Sequence, residues 1–453
     1  MINDMRIKIP STVKLILDGL HARGYEAYIV GGCVRDSILN REPDDWDITT
    51  SALPHQIKQC FQRTIDTGIQ HGTVTVLVGS RTCEVTTYRI DGQYSDSRHP
   101  DSVTFTRKLE EDLLRRDFTI NAMAYNEEEG LVDLYGGMKD LQRKKICCVG
   151  NASDRFAEDA LRILRAVRFS AQLHFGIDRL TALAMMDQAS SLRNISAERI
   201  CSELIKLICS DHPEYLRVAY EAGITRVILP EFDDMMETAQ NSPYHIYNVG
   251  DHTLTAMQYT RKDKVTRLSM LLHDVGKPSC REMDEYGNDH FREHAAAGVG
   301  IATGIMRRLK LDNDTILKVR TLIQYHDWWM KADEKEIRHA LHTVGKELFP
   351  LLLDIQQADT MGKSEYRRDE RLRRIAQVGR YAADILQRGD PIDLKDLAVS
   401  GSDLLAMGVP SGPGIGRMLN AALEIVLDNP YLNTREYLLN YLKNHRNLIL
   451  TEG

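Results

Sequence analysis

The chain has 453 residues, of which 43% are hydrophobic and 27% charged, and its formal net charge is -7. This length exceeds one typical domain and predicts two to four modules with ample core. The negative charge excludes a globally basic surface, so an RNA partner would need a local basic stripe. The eight cysteines form no C-x-x-C pair, and no apolar run approaches the ~20 residues of a membrane span. Together these features predict a cytoplasmic enzyme with reduced thiols and no membrane partner.

The first 140 residues alternate short helices with strand-like runs, which predicts a small head of mixed sheet and helices. EAYIV is typical of a strand that turns at Gly31 and Gly32 into a short helix. DWDITT alternates and is rich in β-forming residues, and GTVTVLVGSRTCEVTTYR predicts two strands joined by a Gly-Ser turn. The polar run DGQYSDSRHPDSVTF predicts a loop.

From about residue 154 the strand signals disappear and amphipathic helices follow. AEDALRILRAVRFSAQL predicts the first of them, because Leu161, Leu164 and Val167 recur at helical spacing. A break at AQNSPYHIYNVGDHT opens a His-rich helical block that extends to about residue 361. The remainder is predicted to be helical, with a Gly/Pro loop at GVPSGPGIG.

An acidic run follows the glycine turn. Asp45 and Asp47 occupy positions i and i+2 of a predicted strand, so both carboxylates would face the same side, whereas Asp44 precedes the alternation as a turn residue. Two such carboxylates repel each other unless a cation joins them, and Mg²⁺ binds one or two carboxylates together with substrate phosphates. The pattern therefore predicts a metal site, with an exposed acidic strand edge as the alternative.

The residues around the acidic run suit a phosphate. Gly31 and Gly32 would allow the backbone to approach it closely, at the start of a helix whose N-terminus favours anions. Arg35 would donate two hydrogen bonds to phosphate oxygens. The order GGxVRD, a short gap and DxDIxT resembles the opening signature of nucleotidyltransferases of the polymerase-β type. More narrowly, it resembles the class II tRNA CCA-adding enzymes and bacterial poly(A) polymerases.

Later motifs extend this resemblance in the same order. EEDLLRRDFTINAMAYN is similar to the motif that recognises the ribose, which maps to Arg116 and Asp117, with Asn121 bracing the site. LVDLYGGMKDL is similar to the segment that links head and neck, and ISAERICSEL to a helix-bracing motif with Arg199 and Glu203. The family also has a carboxylate at the position of Glu84, which would complete the metal site or help deprotonate an RNA 3′-hydroxyl. The alternative is a charge on a strand face.

EDALRILR resembles the base-reading motif of the family, E-D-x-x-R. Asp159 and Arg162 lie at i and i+3, on one face of the predicted helix. A carboxylate accepts hydrogen bonds and a guanidinium donates them, which suits the amino donor and ring-nitrogen acceptor of cytosine and adenine. Guanine and uracil present the reverse pattern and would leave polar groups unpaired. Arg165 would stack on the base or flank it. The alternative is a plain intrahelical salt bridge.

The helical block resembles the HD superfamily of metal-dependent phosphohydrolases, whose pattern is H…HD…D. The matching residues are His252, His273, Asp274 and Asp359. Imidazole and carboxylate ligands suit a divalent transition metal that activates water against a phosphoryl group. Further histidines, His294 and His326, could hold a second metal. A plausible substrate is a phosphate or 2′,3′-cyclic phosphate at a damaged RNA 3′ end, and the alternative is a purely structural appendage.

The resemblance implies an α+β fold in which a polymerase-β-type head with a mixed sheet precedes an all-helical neck, an HD-type body and an RNA-binding tail. The expected boundaries are 1–140, 141–240, 241–365 and 366–453. The implied function is Mg²⁺-dependent addition of C, C and A to the tRNA 3′ end from CTP and ATP, without a nucleic-acid template. The loop with Asp96, Arg98, His99 and Pro100 favours addition of the final A.

Other activities stay open. An enzyme that adds A to CC-ended tRNA and a poly(A) polymerase share the same motifs. A phosphohydrolase with a non-catalytic RNA-binding head, or an RNA-binding protein without activity, would retain only part of the chemistry. The sequence leaves the oligomeric state open.

Overall fold

The computed structural model describes residues 6–79, 81–92 and 103–451. The loop residues Asp96, Arg98, His99 and Pro100 lie outside this part of the chain. The protein forms two compact units, Met1–Pro230 and Glu231–Gly453. No helix in the described ranges is both long enough and apolar enough to span a membrane.

The head of the first unit contains nine strands in the described residues: β1 (Ala27–Val30), β2 (Ile48–Thr50), β3 (Thr64–Gly68), β4 (Thr73–Val78), β5 (Arg81–Thr87), β6 (Arg89–Asp91), β7 (Val103–Phe105), β8 (Met123–Asn126) and β9 (Gly130–Asp133). Seven of them form one mixed sheet with the strand order β3-β4-β5-β2-β1-β8-β9. In this sheet β2 and β5 are parallel, whereas the other neighbours are antiparallel. The mixed sheet followed by helices confirms the predicted fold class.

The sheet is covered by short helices. They are α1 (Ser11–His21), α2 (Gly32–Ile38), α3 (Pro54–Cys60), α4 (Leu109–Leu114) and α5 (Gly137–Arg143). α1 buries Val13, Ile16, Leu17 and Leu20, which form the apolar stripe of an amphipathic helix. All four residues of β1 are buried, as a central strand covered on both faces requires.

Two predictions for the head are wrong in part, one of a strand and one of a loop. The strand predicted over DWDITT contains Ile48–Thr50 alone, and Asp45 and Asp47 precede it without regular structure. The reason is pairing: the Asp47 carbonyl still accepts the Val30 N–H at 3.0 Å, but β1 then turns away at Gly31 and offers no further partner. Asp44 lies in a bend, as predicted. The predicted loop DGQYSDSRHPDSVTF also differs, because its end forms β7, which pairs with β6.

Helices dominate the rest of the first unit. They are α6 (Ala152–Glu158), α7 (Leu161–Leu173), α8 (Arg179–Gln188), α9 (Ala197–Ile208), α10 (Leu216–Glu221) and α11 (Thr225–Ile228). The expectation that strands vanish after residue 154 is not met, because β10 (Lys145–Ile146) pairs with β11 (Gly176–Ile177). These two residues per strand tie the start of the helical region to the turn after α7.

The single helix predicted from AEDALRILRAVRFSAQL is broken into α6 and α7. Asp159 has extended backbone angles (φ −140°, ψ 102°) and ends α6. Its Oδ1 accepts the Leu161 N–H at 3.0 Å, so the side chain satisfies a donor at the start of α7. Aspartate competes with the backbone in this way at helix ends, which explains why the apolar periodicity alone did not reveal the break.

The second unit is helical apart from one small hairpin, β12 (Glu282–Met283) with β13 (Asp289–His290). The helices that lead into and form it are α12 (Pro230–Glu237), α13 (Val249–Met257), α14 (Lys264–Leu272), α15 (His294–Arg308), α16 (Asn313–Tyr325), α17 (Glu334–Val344), α18 (Phe349–Gly362), α19 (Arg368–Arg388), α20 (Gly401–Ala406), α21 (Pro413–Asp428), α22 (Arg435–Asn444) and α23 (Arg446–Thr451). Side-chain caps start several of them: Asn248, Asp263, Asp312 and Asp333 accept backbone N–H groups of the first turn. Val399, Leu404, Met418 and Leu438 belong to a separate apolar core near the C-terminus.

Candidate functional site

The turn between β1 and α2 brings the backbone close to an arginine. Gly31 has φ 82° and ψ −127°, a conformation that favours glycine. A Cβ atom at Gly31 would lie 3.0 Å from Nη1 of Arg116. Gly32 has ordinary space around it, since its nearest neighbour, Nη2 of Arg35, would lie 3.7 Å from a Cβ atom. Gly31 is thus the glycine on which this close approach depends.

Three carboxylates meet beside this turn. The register of Ile48 opposite Val85 in the parallel pair β2–β5 places Asp47 next to Glu84. Desolvation raises the pKa of Asp47, the charges of Glu84 and Asp45 raise it further, and Arg116 opposes them. The influence of Glu84 and Asp45 on the pKa of Asp47 indicates that the three carboxylates lie near one another, and their joint role in metal binding stays a prediction.

This carboxylate group suits a divalent cation. Hard oxygen ligands match Mg²⁺, which needs one or two carboxylates and leaves its other positions to water and phosphate oxygens. Tight trios of candidate ligands occur, within the residues described, in the second unit and not here.

Arg116 is held beside the carboxylates by a buried acid that the motifs did not point to. Asp112 is fully buried, and its Oδ2 lies 3.5 Å from Nη2 of Arg116 and accepts the Thr49 hydroxyl at 3.0 Å. Its Oδ1 lies 2.7 Å from Nη2 of Arg115. The available signal was the spacing, since both arginines follow Asp112 at i+3 and i+4. Nε of Arg116 is buried without a hydrogen-bond partner among the described residues, which leaves a donor for a ligand.

Two of the predicted ribose residues, Asp117 and Asn121, belong to one buried network, whereas the third, Arg116, lies beside Asp112. Nε of Arg165 donates to Oδ2 of Asp117 at 2.9 Å, and Nδ2 of Asn121 donates to Oδ1 at 3.3 Å. Nη1 of Arg35 in turn donates to Oδ1 of Asn121 at 2.6 Å. Burial alone would raise the pKa of Asp117, but the Arg165 charge and hydrogen bonds lower it to about 2. Asn121 joins Asp117 to Arg35 in this network, and its bracing role in the site stays a prediction; Arg35 and Arg165 contact protein groups.

A phenylalanine ring underlies this network. The guanidinium groups of Arg35, Arg165 and Arg168 lie 5.1, 5.3 and 3.9 Å from the centre of the Phe169 ring. Nε of Arg168 also donates a hydrogen bond to Oε2 of Glu203, and the two side chains form a buried ion pair. Each contact between a guanidinium and the aromatic ring is weak, but the three contacts together restrict the direction of the guanidinium groups.

The predicted base-reading residues stand at a helix junction and have separate partners. Oδ2 of Asp159 accepts Nη2 of Arg199 at 2.7 Å. Nη1 of Arg162 donates to Oε2 of Glu158 at 2.5 Å and to the Arg155 carbonyl at 3.0 Å. The prediction of one continuous helix face is therefore wrong. Asp159 nevertheless stays close to Arg162, because the Arg162 N–H donates to the Asp159 carbonyl at 3.0 Å.

Six buried side chains of the second unit converge on one point. They are His252, His273, Asp274, His294, His326 and Asp359. Asp274 belongs to two trios of candidate metal ligands, and in each trio the ligand atoms lie within 4.8 Å of one another. The first trio adds His252 and His273. The second adds His294 and His326. Asp359 lies against the first trio, with Oδ1 2.9 Å from Nε2 of His252.

The four histidines of this cluster share one tautomer. The Nδ1 atom of each lies 2.7–3.2 Å from a backbone carbonyl, and a carbonyl can only accept. Nδ1 therefore carries a proton in each histidine, and when the imidazole is neutral its Nε2 lone pair points into the cluster. This arrangement is typical of metal-binding histidines.

The charges of the cluster also fit a cation. Burial opposes a charged imidazole, yet Asp274 and Asp359 raise the pKa of His273 to about 9. Nε2 of His273 and Oδ2 of Asp274 are buried without a hydrogen bond of acceptable geometry in the described part of the chain. Lys277 lies 2.7 Å from the same Oδ2 atom and supplies part of the missing positive charge. The donor set of imidazole and carboxylate suits a divalent transition metal.

Comparison with known proteins gives three family matches in chain order. Residues 27–147 match the poly A polymerase head domain. Residues 174–236 match a probable RNA and SrmB-binding site of polymerase A, and residues 300–442 match a putative second domain of tRNA nucleotidyltransferases. The first match covers the mixed sheet with its glycine turn and acidic run, so the head has the fold of a nucleotidyltransferase. Such a fold implies a divalent metal ion.

Curated relatives match over nearly the whole chain. The CCA-adding enzyme of Lactobacillus delbrueckii subsp. bulgaricus is 33% identical over 430 residues, which is 94% of this chain and 96% of that enzyme. The CCA-adding enzyme of Latilactobacillus sakei subsp. sakei is 35% identical over 435 residues, with the same coverage. The crystal structure of the Bacillus stearothermophilus CCA-adding enzyme in complex with CTP is 27% identical with a TM-score of 0.70, covering 96% of this chain and 98% of that one. The chain belongs to the CCA-adding enzyme family.

Proposed function

We propose that this protein adds C, C and A to the 3′ end of tRNA, using CTP and ATP without a nucleic-acid template. The observation that carries the proposal is the similarity to CCA-adding enzymes along both compact units rather than in the head alone. The related Bacillus stearothermophilus structure supports the proposal further, because it contains CTP, one of the two proposed substrates. A poly(A) polymerase is disfavoured, because the curated relatives that match over this length are CCA-adding enzymes.

We assign the work along the chain as follows. Residues 1–140 form the head that transfers the nucleotide, and residues 141–240 form the neck that reads the base. Residues 241–365 carry the histidine cluster, and residues 366–453 form a tail that binds the tRNA. Recognition of the tRNA would rest on phosphate contacts and shape rather than on base sequence.

In the head, the chain's own residues position a triphosphate against the tRNA 3′-hydroxyl. Arg116 was predicted to recognise the ribose; because it approaches the Gly31 turn, we assign it to the phosphates instead, and Glu84 would accept the proton of the hydroxyl. A divalent ion, for which we propose Mg²⁺, would be held by Asp45 and Asp47 and would neutralise charge that develops on the α-phosphate. The hydroxyl oxygen attacks in line, a new P–O bond forms, and pyrophosphate leaves. Positioning supplies much of the rate.

The neck would choose the base. Asp117 of the head, steadied by Asn121 and Arg165, would bind the ribose hydroxyls. Asp159 accepts from the amino group of cytosine or adenine, and Arg162 donates to the neighbouring ring nitrogen. Guanine and uracil present a carbonyl and an N–H at these positions, which would leave buried polar groups unpaired.

The test uses tRNA that lacks its 3′ end, incubated with CTP alone, ATP alone or both. Full extension only with both nucleotides supports CCA addition. A long product from ATP alone indicates a poly(A) polymerase, and extension of CC-ended tRNA alone indicates an A-adding enzyme. Asp45→Asn should abolish incorporation, whereas Asp44→Asn, a neighbouring aspartate in a bend, should leave it intact. Incorporation that survives Asp45→Asn would refute the metal assignment.

For the second unit we propose a metal-dependent phosphohydrolase. The observation that favours it is the shared tautomer of four buried histidines around Asp274, which a purely structural cluster does not need. A bound divalent transition metal would supply an activated water. The candidate reaction is hydrolysis of a phosphate ester at a damaged RNA 3′ end, which would prepare that end for the head.

Hydrolysis of p-nitrophenyl phosphate tests the phosphohydrolase without assuming the natural substrate. Activity should depend on an added divalent metal and disappear in His273→Ala. His55→Ala removes an exposed histidine outside the cluster and serves as the control. Absence of metal-dependent hydrolysis across Mg²⁺, Mn²⁺, Co²⁺ and Ni²⁺ would refute the proposal.

A further inference from the structure

A cavity of about 380 Å³ opens beside the histidine cluster and reaches beyond it. His326 and Asp359 of the cluster line one end. The other walls combine cations with aromatic rings, which is a composition that neither the metal site nor the folding of the unit requires. These residues are Tyr244, Trp329, Lys363, Arg367, Arg371 and Arg374.

The cations of this cavity form a row that starts at the cluster. Lys363 comes first, with Nζ 2.5 Å from Oδ2 of Asp359. Arg367, Arg371 and Arg374 follow at steps of four, four and three residues, and the last two lie on α19 just after Arg367 at its N-cap. This spacing puts them on one helix face, and the row from Arg367 to Arg374 is about 10 Å long. We call these four residues the cation row.

Aromatic rings lie alongside the row. The Arg371 guanidinium stacks over the Tyr244 ring at 4.5 Å, and the Arg374 guanidinium over the Trp329 ring at 4.0 Å. Trp329 still exposes 53% of its surface. An exposed ring next to a cation is a platform for a stacked base, because every base has an aromatic face that stacks with little regard to sequence.

The charge of the cavity favours an anion once the cluster holds metal. Oε2 of Glu370 accepts a hydrogen bond from Nε of Arg367 at 2.7 Å, so Glu370 neutralises the charge of Arg367. Asp359 would be occupied by the metal, which releases Lys363 for a substrate phosphate. Arg374 donates to the Met330 carbonyl, a neutral group that leaves its charge uncompensated. Asp327 also lines the cavity, so its four cations face three acids, and the excess positive charge lies towards Arg371 and Arg374, beyond the cluster.

We propose that the cavity binds the end of a single-stranded polynucleotide and leads its terminal phosphate ester into the histidine cluster. The inference rests on the proposed phosphohydrolase and names the substrate class of that site. The cation row contacts successive backbone phosphates, and Trp329 and Tyr244 stack with bases. In the reaction the oxygen of water bonds to phosphorus, the ester P–O bond breaks, and the released 3′-oxygen takes the proton. The products are inorganic phosphate and a 3′-hydroxyl end.

Substrate length is the decisive variable. A series from a nucleoside 3′-monophosphate to a 3′-phosphorylated tetranucleotide, in RNA and in DNA, should show kcat/KM rising at least tenfold with length. Arg371→Ala and Trp329→Ala should each remove most of this gain while leaving p-nitrophenyl phosphate hydrolysis unchanged. Arg380→Ala removes an exposed arginine of the same helix outside the cavity and should change neither activity. If mononucleotides are hydrolysed as well as tetranucleotides, the polynucleotide substrate is refuted and the phosphohydrolase stands.

Binding separates the two proposals further. Fluorescence anisotropy of a labelled tetranucleotide with a 3′-hydroxyl measures the affinity of the cation row for a single strand. The cluster cannot hydrolyse this ligand, because it carries no terminal phosphate. Each phosphate contact contributes about 0.7 to the slope of log affinity against log salt for a single strand, so Arg371→Ala should lower the slope by about that amount. Binding with this slope change but without any phosphoesterase activity would uphold the row and refute the phosphohydrolase. Binding that is equal in Arg371→Ala and Arg380→Ala would refute the row.

Discussion

Replacing Gly31 with alanine tests the close approach of Arg116 to the turn after β1. Gly31 has φ 82° and ψ −127°, where a residue with a Cβ atom is strained by roughly 1–3 kcal/mol. The new methyl group would also stand 3.0 Å from Nη1 of Arg116, closer than ordinary van der Waals contact. The end of the Arg116 side chain would have to shift away from the turn, where we propose that it contacts the phosphates.

The loss of activity follows from that displacement. A hydrogen bond from a charged donor contributes about 1.5–3 kcal/mol, so losing one to the triphosphate should lower kcat/KM roughly 10- to 100-fold. The loss should be equal for CTP and ATP if Arg116 contacts the phosphates, as we propose, because Asp159 and Arg162 would then be the residues that contact the base.

The measurement combines single-nucleotide incorporation with urea unfolding. Gly24→Ala is the matched control, since Gly24 has φ 80° with nothing within 4 Å of a Cβ atom. Both variants should lose stability through backbone strain, but Gly31→Ala alone should lose transferase activity. Activity of Gly31→Ala within twofold of the unmodified protein would refute the placement of Arg116 at the phosphates, and a loss confined to one nucleotide would refute the division of labour.

Three further outcomes follow from the structure. The pKa of Asp117 is lowered to about 2, so its ionised carboxylate stabilises the fold by about 2 kcal/mol above about pH 4. This contribution is lost as the pH falls towards 2. In urea unfolding, the difference in stability between the unmodified protein and Asp117→Asn should therefore narrow over that pH range. Asp159→Ala should raise incorporation of UTP and GTP relative to CTP and ATP by about tenfold, measured as ratios of kcat/KM; unchanged ratios would argue against base reading there. His326→Ala should lower the content of bound divalent transition metal per chain in elemental analysis, while His55→Ala keeps the content of the unmodified protein.

The sequence was sufficient for the family and for the layout of the fold. The family resemblance is confirmed by relatives that match over 94% of the chain. The strand that turns at Gly31 into a helix is present, and so is the hairpin formed by GTVTVLVGSRTCEVTTYR. These elements were predictable because each depends on local chemistry, either a positive φ at glycine or alternation over a short run.

The parts that failed depend on partners distant in sequence. The strand at DWDITT stops short because β1 turns away and ends the pairing, which the run itself does not encode. Asp112 escaped notice because its role appears only when Thr49 is brought beside it by the sheet. The motif residues of the head and the histidine cluster do come together in the structure, but their roles in catalysis stay predictions.

Base reading shows most clearly how distant partners alter a local motif. The E-D-x-x-R spacing suggested a pair on one helix, and the structure instead ends a helix at Asp159 and fixes its carboxylate with Arg199. A carboxylate oxygen can accept more than one hydrogen bond, so this contact leaves Asp159 able to accept from an amino group. What Arg199 removes is rotation of the carboxylate. A base would then meet an acceptor in a fixed direction, so an amino group bonds without first ordering the carboxylate, whereas a carbonyl finds no donor in either carboxylate oxygen.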